Sequence, residues 1–340
     1  MRFIHILLIL VAILLLNYLR IVLQSNHQVD RVESLQHRYL VSYVAYYPST
    51  CFFCKKESKR SREVFKVCKQ NLDIFIDRAV VNSLDVEFYF ILVGETAPTS
   101  KLKQASVMSN VKVLNMQNDQ IDLFAHLKLL KSVETSNYDY FVLLNCGCRG
   151  PYYSGLEYGA PSLLWLPIFT SKLNNVVALS GATTSLAVYP HVQSYALSFT
   201  RSVCQVVVEY WSQFTHHNYS KVSYGNHDRI KLIIDVEVGL SEHIMKKGYS
   251  ISSLDSRYSL VDFRNVSSSL DNRNPTACRP WEQDSVGCQG VEPCEVMFVK
   301  YGGEVYYRKW VATSTKHRVT LEDRSSKLCE GIITSDTENI

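Results

Sequence analysis

The sequence predicts an α/β fold with a mostly parallel sheet flanked by helices. Strand-like segments alternate with helix-length amphipathic segments through the first half, which is the pattern of a parallel sheet with crossover helices. The last of these strands is apolar on both faces, as expected of a strand buried in the centre of such a sheet. The composition, 46% hydrophobic and 20% charged over 340 residues, supports a sizeable core and excludes wholesale disorder.

The first half supplies the strands and helices in order. Residues 37–47, rich in valine and tyrosine, predict a strand, and residues 62–80 carry apolar side chains at helical spacing. Residues 86–93 and 111–116 predict two further strands, and residues 119–134 predict the next helix. Connections of this length predict right-handed crossovers within one sheet.

A polar loop follows the central strand, residues 138–144. It consists of Asn145-Cys146-Gly147-Cys148-Arg149-Gly150-Pro151. Ligands of open α/β sheets bind outside the carboxyl ends of the strands, and an arginine offers a planar donor fork to phosphate or carboxylate. The alternative is a tight turn in which Arg149 caps a neighbouring carbonyl group. The local residues leave both interpretations open.

The second half is less regular. Residues 176–181 predict a strand, and residues 190–211 mix helical and extended signals. Residues 228–247 predict a helix that ends at Gly248, a glycine in the usual carboxyl-cap position. Residues 295–307 predict two short strands around a pair of glycines.

A second candidate site begins at a proline. Pro190 favours the first position of a helix, which would place His191, Gln193 and Ser194 in the first turn. Free backbone N–H groups in that turn favour anions. A single histidine is more often structural than functional, so a structural role for His191 is the alternative.

The third candidate lies in the predicted helix 228–247. One stripe of this helix carries Ile230, Ile234, Glu237, Ser241 and Ile244. A carboxylate in line with buried positions is either paired or has a raised pKa, which is how a general base is made. The alternative is a structural glutamate paired with an arginine or a backbone N–H group.

The amino-terminal segment predicts export. Residues 6–16 are uninterrupted apolar sequence, and residues 3–23 reach the roughly 20 residues that a membrane-spanning helix needs. We expect a signal anchor over residues 1–23 and a polar stem over residues 24–37, with a cleaved signal peptide as the alternative. The ten cysteines agree with disulfides in an oxidising compartment. So do two glycosylation sequences, which begin at Asn218 and Asn265.

Several functional classes are disfavoured. The formal net charge of +4 is too mild for a nucleic-acid partner. The sequence has no phosphate-cradling Walker loop, no nucleophile elbow and no dinucleotide fingerprint. Metal-ligand spacings are poor, because Cys51 and Cys54 lack a second pair and Cys278, Cys288 and Cys294 have no histidine nearby. No metal ligands are therefore assigned.

Four motifs in a fixed order carry a resemblance to a known family. They are the loop ending in Arg149-Gly150-Pro151, Pro190-His191-Val192-Gln193-Ser194, Glu237-Val238-Gly239-Leu240-Ser241, and Gly248-Tyr249. Over residues 40–300 the chain resembles a family of lumenal glycosyltransferases of plants and fungi and, more distantly, bacterial rhamnan-synthesis glycosyltransferases. The resemblance implies a Rossmann-like, GT-A-type domain over residues 38–310. Residues 38–151 would form its nucleotide-binding half, residues 152–310 its acceptor half and residues 311–340 a polar tail.

The resemblance also implies a nucleotide-sugar donor and a glycan acceptor in the Golgi, with a single-pass type II anchor. The hypothesis that follows makes Glu237 the general base and assigns the substrate-binding role to the following residues: Asn145, Arg149, His191, Gln193, Ser194, Asp122 and Ser241. Such folds usually hold a divalent cation, manganese or magnesium, with an Asp-x-Asp motif after a central strand. Here that position reads Asn145-Cys146-Gly147. Three possibilities stay open: Arg149 offsets the diphosphate charge without a cation, Asp122 serves instead, or catalysis is lost.

Two other functions remain as alternatives. A catalytically inactive lumenal protein that binds glycans or acts as a scaffold is favoured by the missing Asp-x-Asp motif. A disulfide-rich extracellular interaction protein requires cleavage of the amino-terminal segment, after which the protein is secreted.

Overall fold

The structure is a computed structural model. It describes residues 35–46, 59–94, 98–117, 122–153, 161–186, 189–215, 231–265 and 293–300. From His37 onward the described residues belong to one unit.

A seven-stranded sheet forms the centre of this unit. Its strands are β1 (Tyr39–Tyr46), β2 (Val86–Val93), β3 (Val111–Met116), β4 (Tyr140–Asn145), β6 (Val177–Gly181), β9 (Ala196–Thr200) and β10 (Ser250–Ile251). Their spatial order is β10-β6-β9-β4-β1-β2-β3. Strand β9 runs antiparallel to β4 and β6, and all other pairs are parallel. The chain builds outward from β1 to β3 and then returns to the other side of β1 with β4, which creates a topological switch point between β1 and β4.

The helices and the short strands complete the described architecture. The helices are α1 (Lys59–Ala79), α2 (Ser100–Ala105), α3 (Asp122–Ser132), α4 (Trp165–Phe169), α5 (Arg201–Ser212), α6 (Gly239–Lys246) and α7 (Pro293–Val296). Two small antiparallel pairs stand apart from the sheet: β5 (Cys148–Arg149) with β11 (Val299–Lys300), and β7 (Thr184–Ser185) with β8 (His191–Val192).

The core lies on both faces of the sheet. Side chains of β1 alternate between them, so that Tyr43 packs against Phe75 of α1 on one face while Leu40 and Val44 point to the other. The first face carries an aromatic cluster, Tyr43, Phe75, Phe88, Phe90, Trp165, Phe169 and Phe298. The second face is covered by α3, α5 and α6. The predicted mostly parallel sheet flanked by helices is therefore confirmed.

The first half agrees closely with the sequence prediction. Strands β2 and β3 have the predicted bounds, and α1 and α3 lie within three residues of the predicted ends. These segments are apolar enough for local pattern to fix their type, and burial then agrees with it. Every residue of β2 except Glu87 is buried.

Two predictions in the second half are wrong. Pro190 does not open a helix: His191 and Val192 form β8, and the N–H of Gln193 donates to the carbonyl of Thr183 (3.0 Å). The backbone groups at this position bind a neighbouring segment of chain rather than the next helical turn. Near the carboxyl end, residues 295 and 296 belong to α7 although a strand is predicted there, whereas Val299–Lys300 is extended as predicted. The remaining residues of that prediction, 301–307, lie outside the described part of the chain.

The predicted helix 228–247 is helical from residue 231, where its described part begins, and it contains an irregularity. Ile234–Val238 form a π-helical segment, which continues directly into α6. Gly248 follows α6 with φ +91°, which confirms its predicted role as the carboxyl-cap glycine.

Other predictions concern the ends of the chain and the cysteines. Within the described ranges, no helix combines the length and the apolar character needed to cross a membrane. The predicted anchor over residues 1–23 lies outside the described residues. Cys148 and Cys204 are thiols, whereas Cys294 is disulfide-bonded.

Candidate functional site

The candidate site lies at the carboxyl edge of the parallel strands, beside the switch point. Asn145 ends β4 there. Because β9 is antiparallel to β4, the residues that precede β9 lie at the edge where β4 ends, and the N–H of Asn145 donates to the carbonyl of Tyr195 (3.2 Å). This pairing brings the turn that contains Ser194 to the loop after β4.

Asn145 links two segments of this edge. Its side-chain Nδ2 donates a hydrogen bond to Oδ2 of Asp122, the first residue of α3. Its Oδ1 accepts from the backbone N–H of Gly147 (2.9 Å), and a Cβ at Gly147 would lie 2.9 Å from the same oxygen. The amide of Asn145 is thereby fixed in orientation, with its N–H group toward the carboxylate.

Glu237 is held by a hydroxyl group. The Oγ of Ser194 donates to Oε2 of Glu237 at 2.6 Å, a short charge-assisted bond between a turn and a helix. Both residues are partly exposed. The carboxylate therefore has a defined orientation and is still open to solvent.

The negative charge of Glu237 acts on Asp122. The pKa of Asp122 is raised to about 6. Burial is the main cause, and the negative charge of Glu237 is the second. The hydrogen bond from Asn145 and the positive charge of Lys300 oppose the rise. Asp122 therefore changes its charge just below neutral pH, beside a second carboxylate and a lysine.

His191 is fixed through both ring nitrogens. Its Nδ1 lies 2.7 Å from the carbonyl oxygen of Tyr189, which can only accept, so Nδ1 carries the proton. The Nε2 atom then accepts from Nε2 of Gln193 at 2.8 Å. Burial lowers the pKa of His191, and the charge of Lys300 lowers it too. The imidazole is a neutral group that fixes the amide of Gln193, and both side chains are buried.

Ser241 has a structural contact. Its Oγ accepts a hydrogen bond from the backbone N–H of Val192 (3.1 Å), and its side chain is 1% exposed. This bond ties α6 to β8. The predicted stripe from Glu237 to Ser241 therefore places a partly exposed carboxylate at one end and a buried anchor at the other.

Arg149 holds the loop after β4 against α1. Its Nε donates to Oδ1 of Asn71 (2.8 Å), and Nδ2 of Asn71 donates to the carbonyl of Cys146 (2.9 Å). Asn71 is fully buried. The structure thus places Arg149 in the same loop as Asn145, with part of its guanidinium engaged by the protein.

Lys300 belongs to the site although the sequence analysis does not single it out. Strand β11 pairs with β5 so that Lys300 lies opposite Cys148, three residues after Asn145. Its side chain is exposed, and its charge acts on both Asp122 and His191. The sequence signal for it is its position at the end of residues 40–300, the span over which the chain resembles the glycosyltransferase family.

The described part of the chain offers no clear metal centre. Among these residues, no three His, Cys, Asp or Glu side chains group closely enough to hold a metal ion. The arrangement that remains is the partly exposed carboxylate of Glu237, the second carboxylate of Asp122, a neutral histidine–glutamine pair and a lysine.

Comparisons with known proteins give similarity at low identity. No protein-family model matches the sequence, and no curated protein matches it. Among solved structures, the apo form of the glycosyltransferase GlyE of Streptococcus pneumoniae TIGR4 is similar at 12% identity, over 65% of this chain and 46% of that one, with a TM-score of 0.35. A protein of Desulfovibrio desulfuricans G20, assigned as a nucleotide-diphospho-sugar transferase, is similar at 11% identity, over 68% and 91%, with a TM-score of 0.37. This chain thus spans less than half of the length of GlyE.

Proposed function

We propose that this protein is a glycosyltransferase that moves a sugar from a nucleotide-sugar donor to a hydroxyl group of a glycan. The observation that carries the proposal is the hydrogen bond from Ser194 to Glu237 at the carboxyl edge of the sheet (2.6 Å). It orients a solvent-accessible carboxylate where open α/β sheets bind their ligands. A carboxylate held in this way is suited to act as a general base.

In the proposed reaction Glu237 accepts the proton of the acceptor hydroxyl. The acceptor oxygen bonds to the anomeric carbon of the donor sugar while the bond from that carbon to the diphosphate oxygen breaks. The electron pair of the broken bond leaves with the nucleoside diphosphate. General-base assistance of this kind contributes typically 10²–10⁴-fold in rate.

The donor diphosphate would lie against the loop after β4. Lys300 is exposed beside this loop, and Arg149 and Asn145 belong to it. Positive groups at this position would offset the charge that develops on the leaving diphosphate. Coordination of a divalent cation by Asp122 is the competing arrangement, because its carboxylate lies at the same edge.

The acceptor or donor sugar would be positioned by His191 and Gln193. Since both nitrogens of the imidazole are engaged by protein groups, the neutral ring orients the amide of Gln193. A side-chain amide both donates and accepts, as recognition of sugar hydroxyl groups requires.

The proposed location is the lumen of the Golgi, with residues 1–23 as the anchor. The apolar amino-terminal segment, the cysteine content and the glycosylation sequences support it. Microscopy of the tagged protein, combined with glycosidase treatment to detect glycans on Asn218 or Asn265, tests this location. A cytosolic distribution without glycans would contradict it.

The first experiment is a binding screen with the full-length protein. Its thermal unfolding is measured with a panel of nucleoside diphosphates and nucleotide sugars, with manganese and with a chelator. We expect saturable stabilisation by one nucleotide. At a nucleotide concentration of about 100 times the dissociation constant, the free energy of unfolding should increase by about 2.7 kcal/mol. Dependence on manganese would favour the cation at Asp122 over Lys300. A cooperatively folding sample without any shift would favour the inactive glycan-binding protein.

The variant Glu237→Gln tests the assignment of the base. The amide keeps the size of the side chain and can still accept from Ser194, but it cannot take a proton. We expect the release of nucleoside diphosphate in the presence of acceptor to fall by at least about 10²-fold, with nucleotide affinity unchanged. Glu242→Gln is the matched control, because Glu242 lies on the same helix and pairs with Lys246 (2.7 Å). Transfer at the wild-type rate in Glu237→Gln would refute the assignment.

A further inference from the structure

We propose that Tyr210 is a positioning residue for Glu237. Its hydroxyl group lies against Gly239 and stabilises the π-helical segment, which in turn places the carboxylate of Glu237 next to Ser194. The inference rests on the proposed function only in giving Glu237 a part in the reaction. The positioning itself depends on hydrogen bonds between α5 and the π-helical segment Ile234–Val238.

The π-helical segment leaves a backbone acceptor without its usual donor. In an α-helix the carbonyl of Asp235 would accept from the N–H of Gly239, four residues on. Here the N–H of Gly239 donates to the carbonyl of Ile234, five residues back. The carbonyl of Asp235 thus loses the donor that it would have in an α-helix, and an unsatisfied buried carbonyl costs about 1–3 kcal/mol.

Two side chains of α5 supply donors to this segment. The hydroxyl of Tyr210 donates to the carbonyl of Asp235 (2.5 Å), and Nε1 of Trp211 donates to the carbonyl of Val236 (3.2 Å). These carbonyls belong to the two residues that precede Glu237. Trp211 is fully buried, and burial together with the charges of Asp235 and Glu242 raises the pKa of Tyr210 to about 12. The hydroxyl therefore keeps its proton and remains a donor.

Gly239 provides the space for that hydroxyl. A Cβ at this position would lie 2.2 Å from the Tyr210 oxygen. The backbone of Gly239 has φ −65° and ψ −22°, which any residue adopts in a helix. The glycine is thus explained by the close approach of the tyrosine and not by its backbone conformation.

The segment determines where Glu237 points. A π turn takes up one more residue than an α turn, which rotates the side chains on its two sides by roughly 100° relative to each other. Ser241, beyond the segment, is anchored to the backbone of Val192. Return of residues 234–238 to α-helical geometry would therefore turn Glu237 relative to Ser194.

Tyr210→Phe and Gly239→Ala test the inference from its two sides. The first removes the donor to Asp235, and the second keeps the tyrosine but displaces its hydroxyl. With a nucleotide sugar and acceptor identified by the screen, we expect each variant to lower kcat by about 10- to 100-fold. The KM for the donor should change less than about twofold, because the nucleotide contacts lie at the loop after β4.

The double variant supplies the decisive comparison. Once the hydroxyl is absent, the contact at 2.2 Å is removed, and the next nearest atoms to the Cβ of alanine are the Ile234 carbonyl oxygen at 3.3 Å and the Cζ atom of the ring at 3.4 Å. The two changes should therefore be non-additive, and the double variant should lose no more activity than the worse single one. Tyr249→Phe, which removes the hydroxyl of a partly buried tyrosine just beyond α6, is the control and should keep wild-type kcat.

A titration provides a readout that needs no activity. Asp122 faces Glu237, Asn145 and Lys300, and the charge of Glu237 contributes to its raised pKa. If Glu237 turns away in Tyr210→Phe, the pKa of Asp122 falls toward its ordinary value, as aspartate-selective carbon NMR would detect. Tyr249→Phe should leave it unchanged.

The outcomes separate the two proposals. If the wild-type protein turns over no nucleotide sugar, the proposed function fails, and the titration alone decides the role of Tyr210. If the wild type is active while Tyr210→Phe retains both its kcat and the wild-type pKa of Asp122, the inference is wrong and the proposed function stands. Additive losses in the double variant would also overturn it.

Discussion

Four polar side chains form two pairs at the residue scale of this site. Ser194 donates to Glu237, and Asn145 donates to Asp122. All four are candidate residues from the sequence alone, but their partners lie 43 and 23 positions away along the chain. Pattern along the chain and the family resemblance identify the candidates, and only the folded chain shows which of them bind each other.

The raised pKa of Asp122 predicts a pH dependence of stability. The pKa is about 6 in the folded chain, against 3.8 for an ordinary aspartate. Between these values the folded chain retains a proton that the unfolded chain has lost, so the stability of the wild type falls as the pH rises from about 4 to about 6. Asp122→Asn cannot ionise and escapes this fall.

Urea unfolding at several pH values checks this prediction. We expect the stability of Asp122→Asn relative to wild type to increase across that window by about 1–3 kcal/mol. The asparagine can still accept from Asn145, so the hydrogen bond is kept. Asp77→Asn, at an exposed carboxylate paired with Lys101, serves as the control. A relative stability of Asp122→Asn that is the same at every pH would contradict the prediction.

At the scale of elements, the β5–β11 pair brings Lys300 to the site. This pairing depends on a close approach at Gly150, where a Cβ would lie 2.5 Å from the Met297 carbonyl and 2.6 Å from the Phe298 ring. Met297 itself has φ +64°, an uncommon conformation for a residue with a side chain. The strand that carries Lys300 is therefore held by packing that tolerates little change.

Two glycine substitutions separate the cost of close contacts from the cost of a positive φ alone. Gly150→Ala meets backbone and ring atoms at a positive φ, and we expect it to destabilise the fold by about 2–3 kcal/mol. Gly248→Ala also has positive φ but meets nothing within 4 Å, so only the backbone conformation opposes it, at about 1–2 kcal/mol. Denaturant unfolding of both variants measures the difference. Equal losses of stability in the two variants would show that the close contacts at Gly150 add nothing to the cost of the backbone conformation.

Local pattern predicted some elements and failed for others. Strands β2 and β3 are predicted because their apolar residues agree with their burial. Pro190 favours a helix by its own chemistry, but His191 and Val192 pair with Thr184 and Ser185 instead. The π-helical segment is not visible in the periodicity, since it depends on donors from α5. Hydrogen bonds with other segments of the chain decided these cases.

At the scale of the whole molecule, the two faces of the sheet have different tasks. One face carries the aromatic cluster around Phe75 and Trp165. The ring of Phe298 belongs to this cluster and makes edge-to-face contacts with Trp165 and Phe169, with ring centroids 5.6 Å and 5.1 Å apart. The opposite face packs α3, α5 and α6, the helices that position Asp122 and Glu237. The two sides of the site therefore depend on different parts of the core.

Phe298→Ala and Phe199→Ala test this division. Both rings are nearly fully buried, on opposite faces of the sheet, and each loss should cost about 3–5 kcal/mol in the free energy of unfolding. Phe298 lies two residues before Lys300, so its loss should also weaken nucleotide binding. Phe199→Ala should reduce stability alone. Calorimetry with the nucleotide found in the screen checks both, and equal affinities for the two variants would contradict the division.

The sequence by itself determined the class of fold, the order of the first strands and helices, and the residues Asn145, Asp122, Ser194 and Glu237 as candidates. The fold class and the candidates Asn145 and Glu237 follow from apolar periodicity and from the position of polar residues on predicted elements, which are local properties of the chain. Ser194 came from a predicted helix start that the structure does not form, and Asp122 was implied by the family resemblance alone. The tertiary structure decided the antiparallel insertion of β9, the strand β8, the π-helical segment and the place of Lys300. Each of these depends on hydrogen bonds or charges between separate segments of the chain, from the nearby β7–β8 pair to contacts across the whole fold, which local pattern does not encode.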